Sequence, residues 1–433
     1  MNEHGKLEFC ISPFSTELRV QDLDYGLKNY FSGSKEEIYY GGVRCEYYAY
    51  QDDIGKPNKG VGEAHAANTK LSAMFKDKGL EAHPDKTGYI VFGTLEYKRE
   101  VTKQLEVNPL QLGGFEVKRK ESDKYLGQIL HTNGARASCD ATISSREGKI
   151  KGAMFEIQSI VDDFKMQALG GMMAAWELWE RAMVPSLLAG AGTWTGITST
   201  EVDRLDGLQD LFWRVMFKVP ESCPRIALRA ETRMISMKYR IWEAKLLLIR
   251  RIKRQSQGSL SWKIWKEQVI NKWPGLSAEV MDICKQLDIP NINENSVEGD
   301  DIKKAVFRHH MEEVKEKVGS SKKMQKHKDD DFETVQEYMK GKSVEKTRMA
   351  FRVRCEMVDT IKGNYKDKYR RKGGEEALLC TDCSEQEVHT QTHCLTCPKW
   401  ERLREGMEMD TLENMVIFFQ RLIMERLKKD NGS

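Results

Sequence analysis

The sequence predicts an α+β amino-terminal part, a mainly helical middle and a small metal-binding unit near the carboxyl end. Three observations support this: β-branched and aromatic runs flank a helical stripe before residue 135, apolar residues follow a helical period from about residue 140, and four cysteines cluster between Cys380 and Cys397. We expect four segments: an α+β region at 1–135, a helical region at 136–298, a charged linker at 299–345 and a basic, cysteine-bearing unit at 346–433.

Composition sets broad limits on the molecule. With 433 residues and 40% hydrophobic content, the chain is long enough for about two or three domains with sizeable cores. Its 69 Lys and Arg against 66 Asp and Glu leave a formal net charge of +3, so binding to a polyanion must depend on local basic patches. The sequence shows no signal peptide and no apolar run long enough to span a membrane, which predicts an intracellular protein without a membrane partner.

Three strand-like runs and one helix account for most of the first 135 residues. The runs GVRCEYYAY, TGYIVFG and KYLGQIL are rich in β-branched or aromatic residues and are bounded by Gly, Asp or Pro. Between the first two lies a helix that should stop at Gly79, with one stripe formed by Ala64, Ala67, Leu71, Phe75 and Lys78. The predicted order is strand, acidic turn, helix, strand.

From about residue 140 the apolar residues recur every three or four positions, which predicts a series of helices. The stripes begin at Ile150, Leu205 and Ile241, and ordinary core packing explains them. Residues 299–345 are charge-rich and poor in large apolar side chains, which predicts a linker or an exposed helix. The lysines of this segment could contact phosphate, but a solvated run of charges explains them as well.

The turn after the first strand run carries two adjacent carboxylates, Asp52 and Asp53, in the sequence YAYQDDIGK. Two ionised carboxylates side by side repel each other, and a divalent cation relieves that repulsion. Mg²⁺ usually takes one or two carboxylates plus substrate phosphates, which suits phosphoryl transfer with two metal ions. A surface turn would explain the same residues, because Asp is common in turns.

The carboxy-terminal unit contains a spacing that is typical of zinc sites. Two cysteines separated by two residues are followed by a His/Cys pair, so that one short loop can close a tetrahedral site. His389 and Cys394 are competing ligands, and a redox Cys-x-x-Cys or unrelated thiols are the alternatives to a metal. The preferred set has the pattern C-x₂-C-x₉-H-x₃-C: Cys380, Cys383, His393 and Cys397.

Taken in order, these motifs resemble the reverse transcriptases of non-LTR retrotransposons. YAYQDDIGK resembles the Tyr/Phe-x-Asp-Asp box of the palm, LEAHPDKTGYIVFG the segment after the following helix, and FEVKRKESDKYLGQIL the hairpin that grips the primer end. The stretch from 140 to about 255 is similar to the thumb and the connection that follows it. The cysteine unit, with Pro398 directly after its last Cys, resembles a terminal zinc knuckle. The resemblance implies a partial palm, a mainly helical thumb and connection, and a small zinc unit.

The resemblance also implies roles for individual residues. Asp52 would bind catalytic Mg²⁺, Asp53 would support the same site, and Lys86 would protonate the departing pyrophosphate. A surface lysine in a turn explains Lys86 equally well. The primer-grip hairpin, for which an ordinary strand end is the alternative, matches Tyr125, Leu126 and Gly127. Two basic groups are expected to contact phosphate: Arg250, Arg251, Lys253 and Arg254 on a thumb helix, and Arg370, Arg371 and Lys372 before the cysteines.

One departure from the family pattern limits the activity that we expect. Such a palm needs a further metal-binding aspartate on an earlier strand, but only 49 residues precede Tyr50, and Asp22 and Asp24 lie in a predicted helix. We therefore expect a reverse-transcriptase portion that is incomplete and inactive alone, with an RNA template and a DNA primer or target as partners. The alternative is a non-enzymatic nucleic-acid-binding protein derived from a truncated retroelement. An active retrotransposon enzyme would work in the nucleus.

Overall fold

The computed structural model describes most of the chain after residue 37. Helices dominate, and all of the described strands are short and lie before residue 132, so the α+β prediction is confirmed at this coarse level. Among the described residues, no helix combines the length and the apolar character needed to cross a bilayer. The described residues are 38–40, 43–45, 48–50, 53–162, 171–290, 292, 297–321, 324, 327–341, 343–358, 379–380, 383–384 and 390–430.

The strands form two-stranded pairs rather than one continuous sheet. Four pairs are antiparallel, and the pair β5–β8 is parallel. Because each strand is only two to four residues long, the helices that pack around them supply most of the core. In chain order the strands are β1 Ile38–Tyr40, β2 Val43–Cys45, β3 Tyr48–Tyr50, β4 Asp53–Gly55, β5 Gly88–Tyr89, β6 Gln111–Leu112, β7 Phe115–Glu116, β8 Lys118–Arg119, β9 Ser122–Tyr125 and β10 Gln128–His131.

The helices begin between the strands and continue to the carboxyl end. A π-helical turn at Trp179–Met183 and 3-10 turns at Ala191–Thr193, Glu337–Lys340 and Pro398–Trp400 lie between them. In chain order the α-helices are α1 Val61–Lys78, α2 Leu95–Val107, α3 Ala135–Asp162, α4 Met172–Leu178, α5 Val184–Leu187, α6 Ser199–Phe217, α7 Arg225–Thr232, α8 Met237–Lys253, α9 Leu260–Ile270, α10 Leu276–Gln286, α11 Gly299–Ser320, α12 Val344–Arg354, α13 Gln391–Thr396, α14 Glu401–Arg404 and α15 Leu412–Asp430.

The chain divides into two compact units, and the first contains all of the strands. This unit comprises residues 1–144, 190–198 and 242–302. Helix α1 begins after the β3–β4 hairpin and ends at Gly79, whose φ of 64° allows the left-handed turn that stops the helix. The end of α1 at this glycine and its place between a strand hairpin and β5 are as predicted. Its buried side chains join those of α2 in a small core: Ala67, Leu71, Met74, Val101 and Leu105.

The second unit, residues 145–189, 199–241 and 303–433, is helical and is built around stacked aromatic rings. Trp179 stacks on Phe212 with ring centroids 4.7 Å apart, and Phe217 stacks on Phe351 at 3.9 Å. All four rings are fully buried, so this column of aromatic side chains contributes both apolar burial and specific ring contacts. The column joins the π-helical turn, α6 and α12.

The segment 299–345, expected as a charged linker or an exposed helix, begins with the 22-residue helix α11. Within the second unit this helix buries one apolar stripe, in which no residue is more than 4% exposed. The stripe is built mainly of valines three to five positions from the next member, and the charged residues between them hide it in a count of large apolar side chains. Its members are Val306, Met311, Val314 and Val318.

A buried histidine lies on the same helix. His310 is 2% exposed and donates from Nε2 to the carbonyl of Met234 at 3.1 Å, while Nδ1 has no hydrogen-bond partner among the described residues. A proton on Nδ1 would therefore be buried without an acceptor. Burial lowers the pKa of His310 to about 4, against the opposing charge of Glu313 and with smaller lowering contributions from Arg229 and Arg240.

We predict that His310 makes the second unit sensitive to mild acid. The unfolded histidine takes up a proton near pH 6.5 but the folded one only near pH 4, so this stability is present above pH 6.5 and is lost as the pH falls towards 4. The loss corresponds to roughly 3 kcal/mol. When the pH is lowered from 6.5 to 4, the free energy of unfolding, measured with urea, should fall by roughly 3 kcal/mol less in His310→Gln than in the wild type.

The neighbouring histidine is the matched control. His309→Gln should keep the wild-type pH dependence, because His309 is only half-buried and makes no comparable contact with a backbone carbonyl. Equal pH dependence in wild type and His310→Gln would show that His310 does not take part in acid unfolding.

Candidate metal centre and candidate nucleic-acid contacts

Four side chains of the carboxy-terminal unit come together as a candidate metal centre. The ligand atoms of Cys380, Cys383, His393 and Cys397 all lie within 4.8 Å of one another, and Cys383 Sγ is 3.4 Å from His393 Nε2. A tetrahedral zinc ion with its usual bond lengths separates such ligands by about 3.5 Å, so only small movements are needed to close the site. The four residues can therefore hold a metal ion such as zinc, in the ligand set that the spacing predicts.

A short helix presents two of these ligands. Helix α13 is capped by Thr390, whose hydroxyl accepts a hydrogen bond from the His393 N–H at 3.1 Å. The Cys397 N–H donates to the His393 carbonyl at 2.7 Å as the helix ends. His393 and Cys397 are four positions apart, so this turn places both side chains on one side of the helix.

The candidate centre is part of a hydrophobic core rather than an isolated loop. Cys380, Cys397 and the neighbouring Trp400 are at most 5% exposed and pack with side chains of α12 and α15. Phe418 and Phe419 of α15 are fully buried in this core. Side chains from outside the cysteine segment thus enclose the ligands and hold them away from water.

Burial also changes the chemistry of the thiols. Burial and the neighbouring thiols of Cys383 and Cys380 together raise the pKa of the Cys397 thiol to about 12, because burial disfavours the charged form and adjacent thiolates repel. A divalent cation among the sulfurs reverses this effect, since it stabilises the thiolates directly. Cys394 is equally buried but is not one of the four clustered residues, and His389 lies outside the described residues.

An arginine that sequence analysis did not identify supports this centre. Arg404 Nη1 donates to the carbonyls of Cys397 at 2.9 Å and Cys394 at 3.5 Å, and Nη2 donates to that of Thr396 at 3.4 Å. These are the last carbonyls of α13, where the helix dipole is negative. Three thiolates, one neutral imidazole and Zn²⁺ carry one net negative charge, which the guanidinium offsets. Nothing local in the sequence marks this contact.

The predicted catalytic residues are described only in part. Asp52 lies outside the described residues; Asp53 begins β4, where its backbone pairs with that of Tyr50 in an antiparallel hairpin. Lys86 is exposed in a turn, where its N–H donates to the His83 carbonyl at 3.2 Å. Within the described part of the chain its ammonium group has no ion-pair partner, so it remains available to a ligand.

The three residues predicted for the primer grip occupy one tight hairpin. Tyr125 ends β9, Gln128 begins β10, and Leu126 and Gly127 between them have φ values of 46° and 77°. Positive φ at both central positions is the pattern of a type I′ turn, which matches the natural twist of a hairpin. Leu126 is 48% exposed, so the turn presents an apolar side chain at its tip.

The basic residues predicted to lie on a thumb helix are largely engaged in contacts inside the first unit. Arg250 and Arg254 both form ion pairs with Glu298, and Lys253 donates to the carbonyl of Ile292. Burial lowers the pKa of Lys253. Arg251 is exposed and makes no such contact within the described residues. The second basic group lies entirely outside the described residues: Arg370, Arg371 and Lys372.

The sequence matches no protein-family model and no curated protein. An inference about function therefore depends on two features of the molecule itself. One is the order of hairpins and helices in the first unit, and the other is the Cys₃His cluster of the second.

We predict that the purified chain binds one zinc ion per molecule through the Cys₃His cluster. Cys383→Ser combined with His393→Ala removes two of the four donors and should abolish that zinc, as measured by elemental analysis after gel filtration. Cys284→Ser is the matched control, because Cys284 is buried in the first unit and is not one of the four clustered residues, so its substitution should leave the zinc content unchanged. Full zinc content in the double variant would contradict the assignment.

A second prediction concerns Arg404. Replacing it with Gln leaves the carbonyls of α13 without their cationic donor and should weaken zinc binding about tenfold, the lower end of what loss of a supporting contact costs. Competition with a chromogenic chelator measures the affinity. Arg402→Gln is the control, because Arg402 is exposed and pairs with Glu425 rather than with α13. Equal zinc affinity in both variants would remove Arg404 from the centre.

Proposed function

We propose that the chain is the palm, thumb and zinc-knuckle part of an RNA-directed DNA polymerase of a non-LTR retrotransposon. Its partners would be an RNA template and a DNA primer or target. The observation that carries the proposal is the order of elements: the β3–β4 hairpin, helix α1, strand β5, the β9–β10 hairpin, a helical region and the Cys₃His cluster. The resemblance to these reverse transcriptases requires that order.

The catalytic proposal rests on the β3–β4 hairpin. Its two strands pair from Tyr48 with Gly55 to Tyr50 with Asp53, so only Gln51 and Asp52 separate them in the sequence. Carboxylates of Asp52 and Asp53 would supply oxygen ligands for Mg²⁺, which activates the primer hydroxyl and stabilises the departing phosphates. Lys86, with its exposed and unpaired ammonium group, suits the role of proton donor to pyrophosphate.

The β9–β10 hairpin supports the primer-grip part of the proposal. Two hydrogen bonds to α3 fix its backbone: the Ile129 N–H donates to the Thr142 hydroxyl at 2.8 Å, and the His131 N–H donates to the Ser138 hydroxyl at 2.9 Å. Trp194 Nε1 also donates to Gln128 at 2.8 Å. With the base held on α3, the exposed tip can press against a strand end without deforming.

A second candidate function is nucleic-acid binding without catalysis. The observation that favours it is the Cys₃His cluster, whose four ligand atoms lie within 4.8 Å of one another. A small zinc unit next to basic residues is a frame for phosphate and base contacts on single strands. Polymerisation therefore has to be tested separately from binding.

The test joins the chain to the fingers and first palm strand of a non-LTR reverse transcriptase. The chimera should extend a DNA primer on an RNA template with Mg²⁺, and Asp52→Asn should reduce extension by several orders of magnitude, because an amide cannot supply the anionic ligand that Mg²⁺ favours. Asp85→Asn, in the exposed turn before Lys86, is the matched control and should retain extension.

Binding is measured on the same proteins. The Asp52→Asn chimera should keep its affinity for RNA, which falls with rising salt as phosphate contacts release counterions. Binding without extension in every chimera would favour the second candidate. Extension that survives Asp52→Asn would remove Asp52 from the chemistry.

A further inference from the structure

Helix α3 carries an exposed aromatic ring on the side opposite the face that joins the core. In the second unit its inner face buries Ile150, Met154, Ile157 and Val161, all at most 8% exposed. On the other side, Phe155 is 62% exposed. A helix at the surface of a globular unit normally turns polar residues outward, so this outer face needs a partner.

Two glycines leave an open surface beside Phe155. A Cβ atom built at Gly148 or Gly152 meets nothing within 4 Å, so neither glycine is required by close packing within the molecule. Glycine weakens a helix interior relative to alanine, yet the space it leaves on this face is unused. The missing side chain of Gly152 thus leaves a depression next to the projecting ring of Phe155.

Two charges border this face without partners. Lys149 and Glu156 are both exposed, and in the described part of the chain neither makes an ion pair or a side-chain hydrogen bond. Other charges on the same helix are engaged: Lys151 pairs with Glu147 at 2.7 Å, and Glu147 also pairs with Arg204 at 2.9 Å. Opposite charges are therefore available at the two ends of the exposed strip.

The spacing of these residues fits a second copy of the same helix running antiparallel. Positions 148, 152, 155 and 159 follow the four-three-four repeat of a helix–helix seam. With a two-fold axis midway between 152 and 155, Phe155 of each copy lies against Gly152 of the other, and Gly148 against Ser159. The same axis brings Lys149 beside Glu156 of the second copy, twice by symmetry.

We propose that the outer face of α3, from Gly148 to Ser159, is a homodimer interface. Charge complementarity selects a second copy, because one face carries both signs in positions that the two-fold axis brings together. Twelve helical residues extend over about 18 Å, so the paired strip is smaller than a standard protein interface. Association is accordingly weak, with a Kd on the order of 10 μM.

Sedimentation equilibrium of the full chain over a concentration series tests the proposal. The wild-type chain should pass from monomer to dimer across the micromolar range. Phe155→Ala removes the projecting ring and should raise Kd at least tenfold. Gly152→Leu fills the depression and should do the same while leaving the far-UV circular dichroism of the monomer intact, because leucine favours a helix and meets no neighbour there.

A charge exchange separates this interface from any other. Lys149→Glu and Glu156→Lys should each weaken the dimer, since each places like charges side by side, and the double variant should restore it. A chain that stays monomeric at all concentrations overturns the proposal. So does a dimer insensitive to Phe155→Ala, or single charge variants that change RNA affinity but not self-association, which would make this face a nucleic-acid contact.

Discussion

The buried guanidinium of Arg348 joins three helices, and the rest of the second unit depends on it. It is 1% exposed and donates to the Met216 carbonyl at 2.7 Å, to Asp162 at 2.6 Å and to Glu345 at 2.6 Å. Met216 lies in the last turn of α6, so the guanidinium satisfies a carbonyl at the negative end of that helix while it pairs with the carboxylate of Asp162 on α3. Arg348 is buried but Asp162 is 32% exposed and Glu345 67% exposed, so water compensates part of the charge left behind when either carboxylate is removed.

Helix α12, which carries Arg348, has a different neighbour on each side. Phe351 stacks on Phe217 and Arg352 donates to the Lys218 carbonyl at 2.7 Å, which fastens one side to the bundle. Met349 and Val353 pack on the other side into the core that contains the cysteine ligands. The metal centre and the aromatic bundle therefore share one helix, and a change in the packing of either side acts on the other through α12.

The sequence predicted those features that depend on local spacing. The end of α1 at Gly79 and the Cys₃His set follow from conformational and ligand geometry within a few residues of one another. The contact from Arg348 to Met216 spans 132 positions, and that from Arg404 depends on how α14 folds back on α13. A long polar side chain gives no local signal of its acceptor, so these contacts were not predictable. The buried stripe of α11 was missed because the charged residues between its valines lower the average hydrophobicity of the segment.

The same reasoning limits what a count of basic residues says about nucleic-acid binding. Arg250 and Arg254 share Glu298, so a phosphate that approaches either must displace a carboxylate before it gains a contact. Arg354 forms ion pairs with both Glu231 and Asp330 in the second unit. Each cation already paired within the fold releases fewer counterions on binding, which reduces both the affinity and its salt dependence. With a net charge of only +3, binding to a polyanion depends on local basic side chains such as Arg251, which has no ion-pair partner among the described residues, rather than on the basic composition of a helix.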